Sequence, residues 1–70
     1  MSRAMNLNLT LDEVEAAVLK HGGVISSIES LLPSGTRVVL TNAEQAAGLR
    51  RKLKAQVIEG KVRRIPLRTL

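Results

Sequence analysis

Val24-Ile25-Ser26-Ser27-Ile28-Glu29-Ser30-Leu31-Leu32 is the stretch on which the fold of this 70-residue chain turns. Val24, Ile28 and Leu31, or Ile25, Ile28 and Leu32, recur at helical spacing, while Val24, Ser26, Ile28, Ser30 and Leu32 stand at the period of two of a half-buried strand. β-Branched Val24, Ile25 and Ile28 favour the strand. The next residues favour it too. Pro33-Ser34-Gly35 makes a short turn, and residues 36–41, with Arg37-Val38-Val39-Leu40 at their centre, make the second strand a hairpin needs. Were residues 24–32 helical, the chain would instead be a helix-turn-helix domain.

Upstream, Met5, Leu7 and Leu9 alternate with Asn6 and Asn8, which predicts a first strand. Thr10 opens a helix, because its hydroxyl can accept from the N–H of Glu13 while Glu13 reaches back to the N–H of Thr10. Leu11, Val14, Ala17, Val18 and His21 share one helical face, and Gly22-Gly23 ends the helix. Downstream, Thr41-Asn42-Ala43-Glu44 repeats the capping-box spacing and opens a second helix to about Ile58. Its buried stripe is Ala46, Leu49, Leu53 and Val57. Gly48 inside that helix costs about 1 kcal/mol relative to Ala, tolerable where the helix approaches the sheet closely. Gly60 stops the helix. Residues 61–67, carrying Val62, Ile65 and Leu67, form a last strand, which Pro66 confines to a sheet edge. The order strand, helix, strand, strand, helix, strand predicts an α+β, ferredoxin-like βαββαβ domain over residues 1–70. Its sheet has four antiparallel strands in the order 4-1-3-2 with two helices on one face, and residues 67–70 fray.

Composition bounds the function. There is no cysteine, which excludes zinc fingers, iron–sulfur sites and thiol catalysis. No apolar run is long enough for a membrane span, and residues 1–6 lack the apolar core of a signal peptide, so a soluble cytoplasmic domain is expected. Charge is polarised. From Arg50 onward eight bases face the single acid Glu59, a net +7, whereas the first 49 residues carry −2, together giving the chain's +5. Such a field points to an anionic partner, nucleic acid first.

The elements resemble an RNA-recognition motif. Residues 11–14 and 23–28 are similar to that family's first helix, glycine and second strand, and Gly35-Thr36-Arg37-Val38-Val39-Leu40 to its third. Ala43 through Ile58-Glu59-Gly60-Lys61-Val62 is similar to its second helix and the entry to strand four. The resemblance implies that fold. It also implies aromatic rings near Arg37 and Val39 and near Leu7 or Asn8, on which bases stack. This chain has no Phe, Tyr or Trp anywhere.

No catalytic constellation is present. Asp12, Glu13 and Glu15 fall in the early turns of a helix, where acids meet the positive end of its dipole. Ser26, Ser27 and Ser30 lack a base in a recognisable pattern, and neither glycine pair makes a phosphate loop. His21 is the only histidine and suits a structural place at a helix end, so no metal, cofactor or small-molecule substrate is read. The basic arc of helix two, Arg50, Arg51, Lys52 and Lys54, and the bases of the last strand, Arg63 and Arg64 among them, remain. With Arg37 on the sheet they predict a non-enzymatic module that holds phosphates through Arg37, Arg50, Arg51, Lys54, Arg63 and Arg64. The alternative is a protein-interaction regulator or inhibitor, of the kind mobile elements encode, that docks on an acidic or apolar partner. It would use the open sheet face or an edge strand, or pair sheet to sheet as a homodimer, with Val39 on that open face and Leu19 on the outer side of helix one left uncovered in the monomer.

Overall fold

The computed structural model describes residues 3–32, 34–59 and the backbone of residues 63–64. The expected Pro66 edge and the fraying at residues 67–70 lie outside the described residues. Five elements run in the order β1 (Ala4–Leu7), α1 (Leu11–His21), β2 (Ile25–Leu32), β3 (Thr36–Leu40) and α2 (Ala43–Lys52). The chain is α+β, with two helices packed on one face of a three-stranded antiparallel sheet ordered β1-β3-β2.

Residues 25–32 are a strand, so the helix-turn-helix alternative falls. The alternation expected along them is nevertheless broken. Ile25 pairs with Leu40 and Ser27 with Val39, which leaves Ser26 as an extra residue in a bulge. Ile25 and Ile28 therefore both stand opposite core-facing residues of β3, Leu40 and Val38, and both pack on the core. This bulge explains why β-branched residues three apart imitate a helical period. Val24 and Leu32, which a regular strand would have turned inward with Ile28, are exposed instead.

The core is built from alternate positions. Met5 and Leu7 of β1 and Val38 and Leu40 of β3 point one way, and Val14 and Val18 of α1 with Ala46 and Leu49 of α2 close over them. Thr36 is the one fully buried polar side chain among the described residues. Its hydroxyl donates to the Leu9 carbonyl oxygen at 2.8 Å, so its burial carries no unmet bond. Both halves of the capping box at Thr10 form. Gly22 ends α1 at φ 87, in the left-handed conformation that Gly adopts without strain.

Two expectations about α2 need correction. Its N-cap is Asn42, whose carboxamide oxygen accepts from the N–H groups of Glu44 and Gln45, and not Thr41. Its α-helical part ends at Lys52, six residues before Ile58. The chain makes one 3-10 turn at Lys54–Gln56 and then straightens. Val57 bridges antiparallel to Leu7, Asn8 N–H donates to the Gln56 carbonyl at 2.7 Å, and Ile58 N–H donates to the Asn6 carbonyl at 2.8 Å. A helix continued to Ile58 would leave those groups of β1 bare, and β-branched Val57 and Ile58 lose little by extending. The order 4-1-3-2 reserves the place beside β1 for the last strand. Residues 56–58 stand there, while the backbone of Arg63–Arg64 pairs antiparallel with Leu31 and Leu32 at the far edge of β2.

Candidate nucleic-acid interface

Ala46 and Leu49 anchor the inner side of α2, which turns Arg50, Arg51 and Lys52 of its last turn into solvent. Bases are stabilised there by the negative end of the helix dipole. The 3-10 turn then redirects the chain, so that exposed Lys54 and Glu59 remain close to that last turn. Arg50, Arg51, Lys54, Val57 and Glu59 line one cleft of about 240 Å³. Three bases and one acid thus meet over a partly apolar floor.

Arg50 also has a structural duty. Its Nη2 donates to the Ala4 carbonyl at 3.1 Å, next along the β1 edge from the Asn6 carbonyl that Ile58 satisfies. Edge groups otherwise open to another chain are closed in this way, partly by a cation. A guanidinium carries five N–H donors, so this bond leaves Arg50 able to meet an anion as well.

Arg37 lies elsewhere. On β3 it alternates with the core residues Thr36 and Val38 and so belongs to the sheet face away from the helices. It stands between Asn6 of β1 and Glu29 of β2 in the cross-strand register. It is half-buried, and a carboxylate-bearing residue is its direct neighbour. Arg63 and Arg64 have their backbone beside β2, with β3 and β2 between it and β1. The six predicted residues therefore fall in three places. Arg50, Arg51 and Lys54 come together at the β1 edge, whereas Arg37 and the Arg63–Arg64 pair do not join them.

One basic residue, Lys20, was missed by reading the chain alone, and Lys52 was read as part of a single arc with Arg50, Arg51 and Lys54. Lys20, His21 and Lys52 line a second cleft, of about 220 Å³, with Ala17, Leu49 and Leu53 between the two helices. Gly48 was the available signal. A Cβ on it would stand 2.9 Å from His21 Nε2, so its smallness lets α2 approach the end of α1 rather than the sheet. The Gln45 side chain adds a bond across the same seam, Nε2 donating to the Gly22 carbonyl at 3.3 Å. The His21 ring thus lies against α2 at Gly48.

Two further features complete the surface. Leu19 is 80% exposed and Val24 59%, and with Glu15, Val18, Gly23 and Ile25 they line a shallow depression of about 350 Å³. Among the described residues no helix is long and apolar enough to cross a membrane, and no group of three or more His, Asp or Glu is placed to hold a metal ion. No family model matches the chain, and no curated protein or solved structure matches it.

Proposed function

We propose that this protein is a non-enzymatic binding module that holds nucleic acid by its phosphate backbone, with the α2 end at the β1 edge as its contact surface. The observation that carries this reading is the convergence of Arg50, Arg51 and Lys54 on one cleft, in a chain of net +5 without a single aromatic ring. Cations at one place attract phosphates, and the absence of rings removes base stacking, so binding depends on charge and carries little sequence preference. Contacts from three bases give a slope of log affinity against log salt of about −2.7 on duplex DNA. Arg37, Arg63 and Arg64 take a secondary part, since the cleft is complete without them.

The split βαβ order of β1, α1, β2 and β3, with α2 on the same face, supports a ferredoxin-like relation and with it the likeness to the RNA-recognition motif. The module works in this reading as a cytoplasmic protein. The test is a titration with labelled DNA and RNA across salt concentrations, repeated with Arg51→Glu and Lys54→Glu together. Tight, salt-steep binding that the double reversal abolishes is the expected result. Affinity indifferent to salt or to the reversal refutes it.

Leu19 and Val24 favour a second reading, in which an apolar partner or a second copy of this chain covers the α1–β2 depression. Sedimentation of the wild type against Leu19→Ser decides it. A dimer that the substitution dissolves supports the pairing, and a monomer at every concentration removes the homodimer.

A further inference from the structure

The proposed phosphate surface has a second half that charge along the chain does not reveal. α2 is flanked on both sides of its last turn. On one side lies the β1-edge cleft with Arg50, Arg51 and Lys54, and on the other the cleft between the helices with Lys20, His21 and Lys52. Arg51 and Lys52 are consecutive residues, yet one lines the first cleft and the other the second. At about 100° per residue, positions 50, 51 and 54 fall on one side of the helical wheel and 49, 52 and 53 on the other, so the basic run is divided between the two clefts. Along this track five cations, Lys20, Arg50, Arg51, Lys52 and Lys54, are joined by one acid, Glu59. All five are exposed, so none is committed to the core. Lys20 comes from α1, out of the half of the sequence with net negative charge, and the packing of α1 against α2 brings it to the cleft that Lys52 also lines.

Resting on the phosphate-binding reading above, we infer that the ligand is double-stranded nucleic acid, met by both clefts at once across the end of α2. A duplex presents two rows of phosphates, one on each side of a groove, and bases on both flanks of a helix end match two rows. A single strand offers one row. Its usual binders recover the difference by stacking bases on aromatic rings, which this chain lacks entirely. The partner is thus recognised as a duplex by its paired backbones, without reading of base edges. Lys20 and Lys52 are contact residues of the same rank as Arg51 and Lys54.

The experiment uses the full chain and fluorescence anisotropy with a 5′-labelled DNA duplex of about 20 base pairs, the same sequence as an RNA duplex, and the single strands. A duplex of that size spans about two turns, enough to present both backbones. Affinity is measured at several salt concentrations for the wild type, for Lys20→Gln with Lys52→Gln, and for Arg51→Gln with Lys54→Gln. Circular dichroism confirms that these exposed substitutions leave the fold intact. Each pair is expected to flatten the duplex salt slope by about 1.8 and to weaken binding about tenfold or more at 0.1 M salt. The DNA and RNA arms show which duplex is preferred. If only the Arg51 and Lys54 pair has this effect, the second half of the surface is refuted while the phosphate-binding reading stands. If single strands bind as tightly as duplexes, the duplex assignment is refuted. If the wild type binds none of the nucleic acids, the underlying reading fails as well.

Discussion

Replacing Gly35 by alanine tests the fold at the point where three segments meet. Gly35 has φ 104, a conformation that side chains of the L series rarely adopt. A Cβ there would lie 2.9 Å from the backbone oxygen of Leu7 and 3.1 Å from Cδ1 of Ile58. Ile58 Cδ1 can move aside. The Leu7 oxygen cannot, because Leu7 is completely buried and paired with Thr36 in the sheet. Gly35 in turn holds the hairpin closed, its own carbonyl accepting from Leu31 N–H at 2.9 Å. The backbone conformation alone costs about 1–3 kcal/mol, and displacing β1 adds to it, for a total of about 3 kcal/mol. A domain of this size has roughly 4–10 kcal/mol of stability in all. The loss lowers the melting temperature by about 15 °C at the usual 4–8 °C per kcal/mol for small domains. Gly22→Ala is the matched control. Gly22 also has positive φ, 87, but nothing lies within 4 Å of the added Cβ, so only a backbone cost of about 1 kcal/mol remains. Thermal unfolding followed by circular dichroism compares the two. A Gly35→Ala variant no less stable than Gly22→Ala refutes the close packing of the hairpin turn against β1.

Three other substitutions probe separate features. Thr10→Ala removes the hydroxyl that accepts from Glu13 N–H, leaves the Thr10 N–H bond to the Glu13 carboxylate in place, and is expected to cost about 1 kcal/mol, read as a fall of about 4–8 °C in melting temperature. Leu49→Ala leaves a cavity among Leu7, Val38 and the two helices and costs about 2–5 kcal/mol, measured as a lower urea midpoint with unchanged slope. Ile58→Pro removes the N–H that closes the Asn6 carbonyl and reopens the β1 edge. Concentration-dependent association in light scattering is expected, and a variant that stays monodisperse argues that this bond does not guard the edge.

What local chemistry dictates was legible in the residues. The capping box at Thr10, the glycine stop at Gly22, the alternation of β1 and β3 and the hairpin glycine each depend on neighbours within about four positions, so reading the chain finds them. The bulge at Ser26 was not legible, because a strand interrupted by one extra residue and a short helix place apolar groups at the same spacing. Only pairing with β3 separates the two.

The same limit governs the site. Bases crowd the stretch from Arg50 onward, and composition alone determines that this part of the molecule carries a positive field. Where those charges stand was decided by tertiary structure. The exposed carbonyls of β1 draw residues 56–58 out of the helix and commit Arg50 to Ala4. The packing of α1 on α2 sets Lys20 and Lys52 on one cleft, and the sheet separates Arg37 from both. Backbone groups on an edge strand must find partners and helices must bury their apolar stripes. These demands arise between segments far apart in the chain, which is why periodicity and local charge determine the elements while their meeting determines the surface.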